Sequence, residues 1–116
     1  MKNIISYNVN GIRSAISKGF WEWLGQESPD MICLQETKAH TVDVPLLELE
    51  ALGYRHAFHA AEKKGYSGVA TFSKVSPDNV VFGCGMEKYD REGRILRTDF
   101  GDWSLLNCYF PSGTTG

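Results

Sequence analysis

The order of apolar runs and breakers along this chain predicts an α/β fold, with a strand–helix–strand unit in the first half and hairpins in the second. Two short apolar runs, Ile4-Ile5 and Met31-Ile32-Cys33-Leu34, flank a stretch with helical spacing. Beyond Gly53 the chain alternates β-rich runs with glycine and proline turns. With 116 residues, 42% hydrophobic and 22% charged, there is material for one soluble domain with a modest core.

Asn3 to Val9 reads as the first strand. Gly11 to Glu27 reads as helix in two pieces, with Ile12, Ala15 and Ile16 on one face, Trp21 and Leu24 on the next, and a break near Gly19. Ser28-Pro29-Asp30 stops it, because proline cannot continue a helix. Met31 to Gln35 is a second strand whose unbroken apolarity suits burial on both faces. The connection makes the two strands parallel or near neighbours. Pro45 to Leu52 is a short helix, with Gly53 as its natural C-cap. Tyr54 to Ala60, Gly68 to Ser73 and Asn79 to Cys84 follow as strands, separated by the turns Glu62-Lys63-Lys64-Gly65 and Ser76-Pro77-Asp78. Ile95 to Phe100 and Trp103 to Asn107 form a hairpin through Gly101-Asp102.

Several function classes are excluded or weakened at this level. No run approaches the roughly 20 apolar residues of a spanning helix, and the N-terminus has no signal-peptide pattern, so no membrane role is expected. Cys33, Cys84 and Cys108 are odd in number, lie in apolar runs and lack C-x-x-C spacing. They are expected to be buried reduced thiols of a cytoplasmic protein. A net charge of −2 gives no global support for a nucleic-acid partner, leaving local binding by a few Lys and Arg on one rim.

The chemistry-bearing residues cluster at strand ends. Asn8 and Glu36 each close a strand of the βαβ unit, and ligands of α/β sheets bind at the carboxyl ends of strands. A neutral amide oxygen beside a carboxylate suits a hard divalent cation such as Mg2+. Asn8 taken alone reads first as the cap of the following turn, and Glu36 reads as well as the salt-bridge partner of Lys38. Tyr66, between Gly65 and Gly68, presents a ring and hydroxyl or simply packs. Asp90-Arg91-Glu92-Gly93-Arg94 reads as a solvated charged turn, from which Arg94 could hold a phosphate through its planar fork. Tyr109 ends a strand with a phenol that either hydrogen-bonds a phosphate or packs. His56 and His59 fall on opposite faces of a strand and make no zinc pair.

Taken together, Asn8-Val9-Asn10-Gly11-Ile12-Arg13, Leu34-Gln35-Glu36-Thr37-Lys38, Gly65-Tyr66-Ser67-Gly68-Val69-Ala70, Gly93-Arg94-Ile95-Leu96 and Asn107-Cys108-Tyr109-Phe110-Pro111 form a collinear set. In order and approximate spacing this set resembles the exonuclease III family of apurinic/apyrimidinic endonucleases, within the endonuclease/exonuclease/phosphatase superfamily. The resemblance implies half of a four-layer sandwich, two β-sheets flanked by helices as in DNase I-like folds. It implies Mg2+-dependent (or Mn2+-dependent) hydrolysis of phosphodiesters 5′ to abasic sites and at 3′ ends of duplex DNA, in the cytoplasm or on the nucleoid of a bacterium. Glu36 would be the principal metal ligand, with Asn8 helping to place the metal or an Asp from elsewhere. Asn10 would lie near the metal, Lys38 would orient Glu36, and Tyr109 would hydrogen-bond the scissile phosphate. Arg13, Lys38, Tyr66, Arg94 and Ser112 would form or support the DNA-facing surface.

Two departures stand out. Relatives carry Asn where this chain has Ser112, which weakens a phosphate contact. The family's Asp-x-Asn and Ser-Asp-His motifs, which activate water, have no counterpart here. The chain is therefore expected to be the N-terminal part of one such domain, inactive by itself. Two alternatives stay open: another superfamily phosphodiesterase acting on lipid or inositol phosphates, and a non-catalytic fragment whose single sheet, lacking a facing sheet, self-associates or pairs with the remaining half.

Overall fold

The structure, a computed structural model, describes residues 3–110. A four-stranded sheet and a three-stranded sheet carry the chain. In chain order the elements are β1 (Ile4–Asn8), α1 (Ile12–Ser17), α2 (Phe20–Glu27), β2 (Met31–Gln35), a 3-10 turn (Thr41–Asp43), α3 (Leu47–Ala51), β3 (Arg55–His59), β4 (Val69–Ser73), β5 (Asn79–Phe82), α4 (Glu87–Asp90), β6 (Ile95–Phe100) and β7 (Trp103–Cys108).

The βαβ unit forms as its pattern dictates. β1 and β2 are parallel, in a register that sets Ile4 against Met31 and Asn8 against Gln35. Gly19, with φ of 99°, separates α1 from α2, a backbone region that only glycine enters freely. Beyond β2 the order is β1-β2-β4-β3, with β4 antiparallel to both of its neighbours.

Side-chain alternation gives β2 and β4 two working faces. Ile32, Leu34, Ala70 and Phe72 join Ile12, Phe20, Trp21, Leu24, Leu49 and Tyr54 in one buried core beneath the helices. The opposite face receives the second sheet, ordered β5-β6-β7, whose β6 and β7 pack against β2 and β4. The chain thus contributes strands to both sheets, as the resemblance implied, and the alternative of a single sheet without a facing layer is corrected. A polar tie joins the two. The Asn107 amide, 2% exposed, donates to the carbonyls of Leu34 (3.3 Å) and Ala70 (2.8 Å) and to Thr71 Oγ1 (3.3 Å). Its Oδ1 accepts from Gln35 Nε2 at 3.0 Å.

Four local expectations are corrected. β5 stops at Phe82 because Gly83 turns to φ of 88° and the next two backbone N–H groups, of Cys84 and Gly85, donate to the Asp90 carboxylate. Cys84 is consequently exposed, while Cys33 is buried and its thiol is pushed up to about 11 by burial. Asp90 closes a short helix where a plain turn was expected. α3 starts at Leu47, two residues after Pro45. Among the described residues all three cysteines are free, and no helix is long and apolar enough to cross a membrane.

Candidate metal and phosphodiester site

Glu36 sits at the carboxyl end of the central strand β2, in a loop laced to both neighbours by backbone hydrogen bonds. On one side Gly11 N donates to Glu36 O (2.7 Å) and Ile12 N to Thr37 O (2.9 Å). On the other, Thr37 N donates to Gly68 O (3.1 Å) and Lys38 N to Ser67 O (2.8 Å). The lacing holds an unusual backbone. Asn10, Glu36, Lys38 and Ser67 all have φ between 48° and 55°, a region that costs a side-chain-bearing residue energy and persists only where the surroundings enforce it. Gly68, at φ of 90°, leaves no room for a Cβ, which would collide with Thr37 Oγ1.

This arrangement brings the candidate residues together. Tyr109 Oη donates to Glu36 Oε1 at 2.5 Å, across 73 residues of sequence. Lys38 Nζ lies 3.8 Å from Glu36 Oε2 and donates to Asn10 Oδ1 at 2.6 Å. Asn8 Oδ1 accepts from the backbone N–H of Asn10 at 3.0 Å, so the turn-capping geometry anticipated for it is present. The Tyr109 phenol foremost, then the Asn8 amide and the Lys38 ammonium, hold the Glu36 carboxyl below the usual carboxylate range, against the opposing effect of burial. The same hydrogen bond raises the Tyr109 phenol above its ordinary value, with burial adding to it. At neutral pH the pair is a carboxylate and a neutral phenol.

Arg94 occupies a different place from the one a charged turn suggests. It is 3% exposed, lying between two aromatic rings, with its Cζ 5.6 Å from the Tyr66 centroid and 5.4 Å from that of Tyr109. Its Nε donates to Glu92 Oε1 (2.6 Å), its Nη2 to Tyr66 Oη (2.7 Å) and its Nη1 to the Tyr109 carbonyl (3.4 Å). A guanidinium held this way supports the site from beneath, and its planar fork explains why such a charge tolerates burial. Tyr66 is 37% exposed and Arg13 is exposed on α1, so both face solvent. Ser112 lies outside the described residues.

The donor set fits a hard divalent cation that keeps much of its own water. Mg2+ is commonly held by one or two carboxylates, and Glu36 is ionised, 22% exposed, beside the Asn8 amide and linked through Lys38 to Asn10. Among the described residues no group of three or more His, Cys, Asp or Glu could form a closed protein cage. Sequence reasoning gave no role to Asn107, Gln35 or Glu92. A polar Asn at the end of the Leu105-Leu106 run was the available signal for the first.

Comparison with known proteins agrees with this geometry. Residues 5–114 match the model of the Endonuclease/Exonuclease/phosphatase family. A Bacillus subtilis exodeoxyribonuclease is 40% identical over 97% of this chain and 44% of its own length. The structure of an AP endonuclease from Archaeoglobus fulgidus superposes with a TM-score of 0.84 at 34% identity, covering 96% of this chain and 42% of that one. A Neisseria 3′ phosphatase bound to a product DNA hairpin gives 0.81 at 26% identity, over 94% and 41%. The chain therefore spans less than half the length of these relatives. The match runs through both sheets and every loop that carries Glu36, Tyr66, Arg94 and Tyr109, and the chain belongs to the Endonuclease/Exonuclease/phosphatase family.

Proposed function

We propose that this chain supplies the metal-holding, phosphate-facing part of a DNA-repair nuclease that hydrolyses phosphodiesters 5′ to abasic sites and at 3′ ends of duplex DNA. The observation that supports this most is the ionised Glu36 carboxylate held by Tyr109 and Lys38 at the carboxyl end of β2. Glu36, with Asn8, would hold the cation, Mg2+ or Mn2+. When bound, the cation supplies charge neutralisation at phosphate oxygens. Lys38 keeps the carboxylate and Asn10 in one constellation. The Tyr109 phenol, neutral at physiological pH, is positioned to offer its proton to a phosphate oxygen once one displaces Glu36.

None of Asn8, Glu36 or Tyr109 serves as a base for the attacking water. Glu36 is held ionised by three donors, and a carboxylate so stabilised is a poor proton acceptor at neutral pH. The general base belongs to another part of the parent protein, and this chain by itself is expected to be inactive. The parent would work in the cytoplasm, on nucleoid DNA if bacterial.

The test has two arms. Water-proton relaxation with Mn2+ should show binding to the chain and its loss in Glu36→Gln. Incubation with Mg2+ and a duplex bearing one abasic analogue, alongside a phosphoinositide, should show no hydrolysis of either. Metal-dependent cleavage of the duplex by the 116-residue chain would overturn the division of labour. Unchanged Mn2+ binding in Glu36→Gln would overturn the metal assignment.

A further inference from the structure

His59 ends β3 on the face turned toward the second sheet, because Phe58 beside it packs against the core beneath the helices. The residue is partly buried, and its Nε2 is fully buried with no hydrogen-bond partner. Its ring lies against Phe82 at the end of β5, centroids 5.9 Å apart, and its backbone pairs with Val69 of β4. Asp90, which closes α4, meets the ring with both its backbone carbonyl and its carboxylate charge. A neutral imidazole leaves one nitrogen as a bare acceptor, whereas an imidazolium carries an N–H on each nitrogen and needs an acceptor for both. The surroundings serve the neutral form.

The segment around the ring has no slack. Gly93, at φ of 58°, lies flat on the end of β3, where a Cβ would collide with the His59 carbonyl oxygen and the Ala60–Ala61 peptide. Glu62 N donates to Arg91 O at 2.8 Å. Asp90 Oδ1 and Oδ2 accept from the backbone N–H groups of Cys84 and Gly85 at 2.9 and 3.1 Å, and Gly83 has no room for a Cβ against that carboxylate. The α4 turn is therefore clamped between the exits of β3 and β5, with the His59 ring inside the clamp. Beyond Asp90 the same turn delivers Arg94 to its place between the Tyr66 and Tyr109 rings.

Few charges surround the ring. From α4 it is faced by Asp90. β4 and β5 present Val69 and Phe82, which do not titrate. At the entry to β6, Glu92 and Arg94 are paired with each other at 2.6 Å. Glu62, Lys88 and Arg91 line an open cleft beside Tyr66, and Cys84 is exposed. On β3 itself His56 lies on the opposite face, against Phe58. Burial pushes the His59 imidazole below its ordinary 6.5, against the pull of Asp90.

We propose that His59 is a proton-operated latch on the α4 turn, closed while the ring is neutral and released when its buried Nε2 takes a proton. The Asp90 carboxylate keeps its charge, but each of its oxygens already holds a backbone N–H. An imidazolium that draws the carboxylate to itself strips those donors, and one that turns away gives up its contact with Phe82. Either movement loosens the turn, and with it the seat of Arg94. By linkage, the opened turn takes the proton at the ordinary value and the closed turn only below it. The closed turn keeps its full stability above about pH 6.5 and loses it as pH falls, until the lowered folded value is passed and the loss levels off. The latch lies outside the metal site and stands whatever substrate that site takes.

The test is amide hydrogen exchange of the full chain, followed by NMR from about pH 7 to about pH 5 beside the titration of the His59 ring protons. Protection of the Cys84, Gly85 and Glu62 amides, corrected for the intrinsic pH dependence of exchange, should fall at least about threefold, with the midpoint of the ring. The Lys74 amide, bonded to Asp30 O at the opposite end of β4, should keep its protection. His59→Phe retains the ring packing and should hold every one of these amides constant, with His59→Gln in its place should that variant fail to fold. Flat protection in wild type overturns the latch. An equal fall in His59→Phe also overturns it, by assigning the change to carboxylates. So does a ring that titrates at or above its ordinary 6.5, because Asp90 then accepts the second N–H without opening the turn.

Discussion

The two ends of the four-stranded sheet are built to different standards. At one end, where β2 begins and β4 finishes, connections are short, ordinary and saturated with hydrogen bonds. Asp30 N and Met31 N both reach Asn3 O, Asp30 O accepts from Lys74 N, and the buried Tyr54 phenol donates to Pro29 O at 2.5 Å. Among the described non-glycine residues, Ser28, closing α2, alone is left-handed there. At the other end, four non-glycine residues are left-handed. The hydroxyls of Thr37 and Ser67 are buried there without a partner. The strand chemistry is the same; the difference is what each end must hold. Strain and unmet polar groups gather where a carboxylate, an ammonium and a phenol are forced into one constellation.

The difference can be broken by substitution, and the largest effect lies between the ends rather than at either. Asn107→Ala removes the tie from β7 to β2 and β4 and takes a buried donor from the Leu34 and Ala70 carbonyls, while Gln35 Nε2 keeps Ser6 Oγ and the Cys33 carbonyl as acceptors. About 2 to 4 kcal/mol of unfolding free energy should be lost, read as a lower urea midpoint. A loss under about 0.5 kcal/mol would mean that the sheets are held by apolar packing alone.

The next pair separates stability from function. Tyr54→Phe at the saturated end should cost about 1 to 2 kcal/mol, by leaving the Pro29 carbonyl unpaired, and leave Mn2+ affinity unchanged. Tyr109→Phe at the strained end should do the reverse, weakening Mn2+ binding by about 10 to 100-fold through loss of the partner that orients Glu36. Its cost in stability should stay under about 1.5 kcal/mol. If both substitutions move both quantities alike, the division between the ends is not functional.

A smaller effect follows from pH. The folded state holds the Glu36 carboxyl below its ordinary value of 4.5, so the carboxylate contributes stability above that pH. The contribution is lost as pH falls through the lowered folded value. Wild type should therefore exceed Glu36→Gln in stability at neutral pH, with the gap closing in acid below about pH 4.5. A gap that persists unchanged to the acid limb would assign it to packing rather than to charge.

Much of the Glu36 end was legible in the sequence, because it is built from a local unit. The βαβ pattern, Pro29 and the unbroken β2 run were enough to set Asn8 and Glu36 at adjacent strand ends, and the observed register places Asn8 beside Gln35. What alternation cannot give is a partner. It fixes which side chains share a face of β2, not that β4 will pair with it, nor that Tyr109 will arrive from the other sheet. Arg94 was hidden for a related reason. A charged run looks solvated until two rings, 28 and 15 residues away, are known to enclose it. Within the chain Lys38 was paired with Glu36, whereas its shorter contact is to Asn10, because the left-handed turns fold both residues back toward one another.

Ser67→Gly gives the smallest expected effect and the sharpest view of the comparison. Ser67 is left-handed at φ of 50°, 3% exposed, and its hydroxyl has no partner. Glycine removes the side-chain penalty of that backbone and the buried oxygen together, while the Lys38 N–H keeps its bond to the residue 67 carbonyl. Against this stands the greater freedom glycine gives the unfolded chain, which offsets about 0.5 to 1 kcal/mol. The balance should favour the variant by up to about 1 kcal/mol, seen as a higher thermal midpoint with Mn2+ affinity preserved. Higher stability with weakened Mn2+ binding would show that the buried hydroxyl helps to hold the Glu36 loop in place. Lower stability would mean that the left-handed turn is relaxed as it stands, and that the strain ascribed to this end of the sheet resides in Asn10, Glu36 and Lys38 alone.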